Sequence, residues 1–298
     1  FISLSYVSLK HTVITVSETA FFFVSSTVLF SLHVAKDKNR NRWIMLIVSL
    51  ALAAEAFWIR TIGISLIPAI LFSVLVRAGQ LNAVELLKDY RTYLGLLLIG
   101  LVFSIILYAI APYTTYDHIV LGLFRTSISE ANLIGALILH VSWKLNEIAQ
   151  ITLNIPASIL PEWFKVPFIG CGVFVLFFII RGLCTQLRVL RYLDVYFISY
   201  SLIVLSWHYH DPRFWLPVIP FLLLFFILGL RHYAHIRLIN LAPRTWIFTY
   251  GVIGLLALTH STYLTFSGKE FGNRYGNGAF RKIYKEAFYG IEAANKTA

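Results

Sequence analysis

A carboxylate stands inside an apolar run at Glu18, in the stretch SETAFFFVSS, with no basic residue within a helical turn of it. An ionisable group at lipid depth is costly, so each one is a candidate for function. Further candidates are Glu55 and Arg60, the dipeptide Asp117-His118, and the group His208, His210, Asp211 and Arg213. Carboxylates of this kind serve as bases or hold hydroxyl groups, and guanidinium forks suit phosphate. Plainer roles compete with these. Glu55 and Arg60 are about one helical turn apart and are as well placed to pair with each other as to bind a substrate. Asp117 and His118 also suit the simple solvation of a loop. His208 and His210 alternate, so on an extended turn they point apart, and without a third ligand at evident spacing they make a poor metal site. Arg191 and Asp194, three residues apart, read as a structural pair with a snorkelling arginine.

The elements that must carry these groups follow from composition. The 298 residues are 58% hydrophobic and 13% charged, with a mean hydropathy of +0.76; a soluble domain carries about twice that share of charge. Apolar runs predict membrane-spanning helices near 12–35, 43–59, 61–76, 92–111, 166–181, 190–207, 213–230 and 245–264, because about 20 mainly apolar residues cross a bilayer. Only Trp58-Ile59-Arg60-Thr61 separates the second run from the third, which predicts a tight helical hairpin or one kinked element. With the N-terminus outside, four short inner connections collect thirteen of the 25 basic residues, among them Lys36, Arg42, Arg181, Arg191 and Arg231. The positive-inside rule favours that orientation. Glu18, Glu55, Arg60, Asp117, His118 and the 208–213 group then all fall at the outer face.

Residues 77–91 (RAGQLNAVELLKDYR) have apolar positions at helical spacing and predict a helix lying on the inner surface. The outer loop 112–165, amphipathic around 117–124 and 130–153, predicts a folded helical loop. The expectation is an all-α polytopic membrane protein with about eight transmembrane helices and one helical extracytoplasmic loop. Residues 1–264 form the transmembrane domain, loop included, and 265–298 an extracytoplasmic tail. The net charge of +11 sits in short clusters between apolar runs, which marks topology rather than a nucleic-acid surface. Cys171 and Cys184 are about 20 Å apart along a continuous helix, too far for a disulfide.

Three stretches in this order, VSETAFFFVSSTVLF, AEAFWIRTIGISLIPAILFSVLVR and WHYHDPRFWLPVIPFLLLFF, resemble the C-type (GT-C) membrane glycosyltransferases. The resemblance is closest to those related to protein O-mannosyltransferases and lipid A aminoarabinose transferases. The motifs are Ser17-Glu18 followed by apolar residues, Arg60-Thr61-Ile62-Gly63 with Pro68, and Asp211-Pro212-Arg213-Phe214-Trp215-Leu216-Pro217 with Pro220. The likeness covers most of the chain, although each motif is short. It implies an enzyme of the plasma or inner membrane that moves a sugar from a polyprenyl-phosphate donor to a lipid, glycan or protein acceptor at the outer face. Glu18 is then a catalytic carboxylate that holds sugar or acceptor hydroxyls, and Arg60 and Arg213 stabilise the leaving phosphate. Asp117, His118, His208, His210 and Asp211, all expected at the same face, are the further candidates for substrate binding. No cofactor is implied, a divalent cation being the one addition such chemistry accepts, and the partners are donor, acceptor and membrane lipid, not nucleic acid. Members of the family carry their main catalytic carboxylate in the first external loop, so the resemblance implies that this chain begins after that loop and is inactive alone. Two other readings compete. A polysaccharide polymerase or ligase would use basic groups of the outer loop, such as Arg125 with His140. A multi-span transporter or flippase would place its site near the midplane between repeated halves, whereas no repeat is visible here.

Overall fold

The computed structural model describes residues 16–36, 42–75, 80–82, 133–155, 161–187, 189–207, 211–233 and 241–267, which are predominantly helical. Helices α1 (Val16–Lys36) and α2 (Arg42–Ile59) form an antiparallel pair, because Glu18 at the start of α1 reaches Arg60 just beyond the end of α2. Phe21, Ser25, Val28, Leu32 and Ala35 line the buried face of α1, and Leu46, Ser49, Ala53 and Ala56 that of α2. This three- and four-residue spacing makes one helical stripe on each. The opposite faces expose Phe23, Phe30, Trp43, Ile47 and Leu50. Such side chains suit contact with acyl chains rather than water.

Arg60 ends α2 by taking an extended backbone (φ −152°, ψ 131°) before a 3-10 helix, Thr61–Ser65, which leads into α3 (Leu66–Leu75). Gly63 permits this reversal. A Cβ there would stand 2.6 Å from both the Ala56 carbonyl carbon and the Phe57 nitrogen. At the far end of the pair, Arg42 Nη2 donates to the Ser73 carbonyl at 3.4 Å, so the second and third apolar runs make a tight hairpin.

The stretch expected to lie on the inner surface as a helix is corrected in part. Gln80–Asn82 is a strand, β1, paired antiparallel with β2 (Val189–Arg191), with Leu81 opposite Leu190. Local helical spacing yields to a strand partner that arrives more than a hundred residues later. The remainder of 77–91 lies outside the described residues.

Helix α4 (Leu133–Leu153) occupies the amphipathic stretch near 130–153 and packs on α5 (Lys165–Gln186). Its last turn closes when the Ile155 N–H bonds the Gln150 carbonyl at 3.2 Å. Asn154 takes the left-handed conformation this needs, with φ 60°, which asparagine tolerates better than most residues. Helix α6 (Tyr192–Ser206) follows β2, and Asp194 Oδ2 accepts the Arg191 backbone N–H at 2.9 Å. The Arg191–Asp194 pair therefore caps a helix start through the main chain. A 3-10 helix, Pro212–Val218, leads into α7 (Ile219–His232), and α8 (Ala242–Ser267) follows. Helices α5 and α7 touch backbone to backbone at Gly182 and Gly229, where any side chain would run into the Phe225 or the Phe178 carbonyl. Small residues at such contacts are the usual means of close helix packing in membranes.

Among the described residues, four helical stretches are long and apolar enough to cross a bilayer: Glu18–Ala35, Arg42–Ile59, Val166–Gln186 and Pro212–His232. Shorter apolar helices at Thr61–Val74 and Tyr192–Ser206 coincide with the third and sixth expected spans. The expected span at 92–111 lies outside the described residues. The arrangement is consistent with a membrane protein.

Candidate functional site

Four of the sequence candidates converge. The start of α1 brings Glu18, the reversal after α2 brings Arg60, and the cap of the 3-10 helix before α7 brings Asp211 and Arg213. Arg60 Nη1 donates to Glu18 Oε1 at 2.6 Å, and Arg213 Nε lies 3.9 Å from the same oxygen. Asp211 works twice. Its Oδ1 accepts the Arg213 backbone N–H at 2.9 Å, capping the helix, while Oδ2 lies 3.2 Å from Arg213 Nε. Phe214 sits against both cations, each guanidinium carbon 5.2 Å from the ring centroid, within range of a cation–π attraction. The Phe214 carbonyl accepts from Tyr200 Oη of α6 at 2.6 Å, which fixes the ring's backbone.

Burial grades across this group. The Glu18 side chain is 3% exposed, Arg60 22% and Arg213 36%. The anion is thus sealed beneath two cations whose outer edges stay accessible. Arg60 turns to Glu18 rather than to its neighbour Glu55, which is exposed. A buried carboxylate demands a charge partner far more strongly than a solvated one does.

A second polar centre adjoins this one and was not singled out from the sequence. On α4, Lys144 Nζ lies 3.2 Å from Glu147 Oε2, both side chains being buried. The same oxygen accepts from the Trp215 indole N–H at 2.8 Å, two residues beyond Arg213. Burial pushes the Glu147 carboxyl above its usual range and the Lys144 ammonium below its own, each opposed by the other's charge. The Asp211 carboxylate acts electrostatically on both, so the two centres are close enough to interact. The available signal was Lys144 and Glu147 at three-residue spacing on an otherwise apolar stretch. Nearer the start of α4, His140 Nε2 makes a 2.7 Å hydrogen bond with the Leu205 carbonyl of α6.

Asp117, His118, His208 and His210 lie outside the described residues. Among the described residues, no three His, Cys, Asp or Glu side chains are grouped so as to hold a metal ion, and Cys171 and Cys184 are free thiols. No protein-family model matches the chain, and neither do curated proteins or solved structures.

Proposed function

We propose that this chain is a membrane glycosyltransferase that takes its sugar from a polyprenyl phosphate, with the Glu18, Arg60, Asp211 and Arg213 cluster at the donor phosphate. One observation carries the reading: two guanidiniums from distant parts of the chain are held beside one buried carboxylate and one aromatic ring, with their outer edges open. Breaking the sugar–phosphate bond leaves negative charge on phosphate oxygens, and fixed guanidinium donors stabilise that charge as it develops. Glu18 draws one donor of Arg60 inward and so orients the rest. Its burial suits that task better than contact with the sugar itself. Asp211 does the same for Arg213 from the side.

The motif order that resembles the C-type glycosyltransferases supplies the sugar-transfer part of the reading, with Arg60 and Arg213 as its two cations. The test uses the full-length protein in lipid nanodiscs with polyprenyl-phosphate sugars. Arg213→Ala should abolish transfer and weaken donor binding, with assembly unchanged by size exclusion. Parental transfer by Arg213→Ala would remove the phosphate assignment.

A further inference from the structure

The Arg213 segment is not itself α-helical. It is a 3-10 helix with proline at 212 and 217, a geometry with weaker hydrogen bonds than an α-helix. The Asp211 cap and the Tyr200 bond to the Phe214 carbonyl hold its start, and a further tie comes from α4. Trp215 is almost fully buried, and its indole N–H ends on Glu147 Oε2 at 2.8 Å. Glu147 is in turn held by Lys144 from one turn earlier on α4.

We propose that Glu147, set by Lys144, is a positioning residue: through Trp215 it fixes the 211–218 segment and thereby aims the Arg213 guanidinium at its ligand. The proposal rests on the phosphate reading for what Arg213 binds, but not for the positioning itself. A buried ion pair adds little to stability compared with apolar side chains of the same size, so stability alone gives it a weak role. A directional role suits it better. The carboxylate offers Trp215 a charge-assisted acceptor, stronger and more directional than a neutral one, and Trp215 lies two residues from the cation it would aim. Helix α4 thus becomes part of the site without touching the ligand.

Two variants break the tie without leaving a buried charge unpaired. Trp215→Phe removes the indole donor together with some buried ring volume, so the second variant, which leaves Trp215 in place, controls for the cavity. Lys144→Met combined with Glu147→Leu removes both charges and keeps the volume, a replacement that buried ion pairs tolerate. Each variant of the full-length protein in nanodiscs is compared with the parent by hydrogen exchange, read by mass spectrometry on peptides covering 211–218 and, as control, on α2. Exchange at 211–218 should rise about tenfold or more, the low end expected for losing one hydrogen bond to a charged group, while α2 stays unchanged. Binding of a polyprenyl monophosphate, the probe, should weaken by a similar factor. Unchanged exchange at 211–218 in both variants would overturn the proposal. So would faster exchange with full phosphate affinity, provided that Arg213→Ala does lose affinity. If Arg213→Ala binds the probe like the parent, it is the phosphate reading that fails, and the exchange result alone then decides on positioning. If one variant does not assemble, the exchange and binding of the other decide between these outcomes.

Discussion

Glu18 and Arg60 show what a lipid-depth carboxylate requires of its surroundings. Replacing Glu18 by Gln leaves a mostly buried guanidinium short of its partner and should cost about 1–3 kcal/mol. Replacing Arg60 by Ala should cost more, about 3 kcal/mol, because the deeply buried carboxylate then loses its shortest contact and is left with the more distant Arg213. The double variant Glu18→Gln with Arg60→Ala should be less destabilised than the two single losses combined, and unfolding in detergent micelles measures all three. Additive losses would mean that the 2.6 Å contact carries no coupling. At Arg213 the change to Lys keeps the charge and loses the fork, so donor affinity should fall by an amount between those of the parent and Arg213→Ala. The sequence alone pointed to Glu18, Arg60, Asp211 and Arg213, since a charge in an apolar run stands out. It did not reveal that Arg60 prefers Glu18 over Glu55. Separation along the chain hides a partner that only the α1–α2 pairing supplies. Nor did it mark Lys144 and Glu147, whose spacing resembles that of any solvated i,i+3 pair of a loop helix.

At the scale of elements, the apolar runs predicted helices well because length and hydropathy are local properties. Contacts between elements were less legible. Nothing in Gly182 or Gly229 announces that their helices meet there, and Gly182→Leu should force α5 from α7, lowering stability by about 1–3 kcal/mol or more. Thermal unfolding of the purified protein tests this, with Gly170→Leu as control, since a Cβ at Gly170 meets nothing within 4 Å. The β1–β2 register is equally checkable. In a background free of Cys171 and Cys184, cysteines replacing Leu81 and Leu190 should cross-link on mild oxidation, because they stand opposite one another within reach of a disulfide. Cysteines at Leu81 and Val189 point to opposite faces and should link far less. Equal yields would mean that the strand pairing is misassigned.

For the whole molecule, the count of basic residues gives an expected direction. Single cysteines replacing Ser129 and Ser267 in intact cells should react with a membrane-impermeant thiol reagent, whereas one replacing Asn39 should be shielded. The reverse pattern would invert the orientation drawn from the positive-inside rule. The convergence of the α1 start, the α2 end and the 212–218 segment on one site agrees with placing all three at one face.

That convergence also has a timetable. Glu18 and Arg60 can join once α1 and α2 have left the ribosome, whereas Arg213 follows about 150 residues later, roughly 8–30 s at ordinary rates of synthesis. During that interval the nascent hairpin would carry a neutralised pair instead of a bare carboxylate, which eases its release into the bilayer. A chain with Arg60 removed would present the insertion machinery with an unaccompanied acid, and its first defect would then be a shortfall of inserted protein in pulse-labelled membranes, before any loss of chemistry could be assayed.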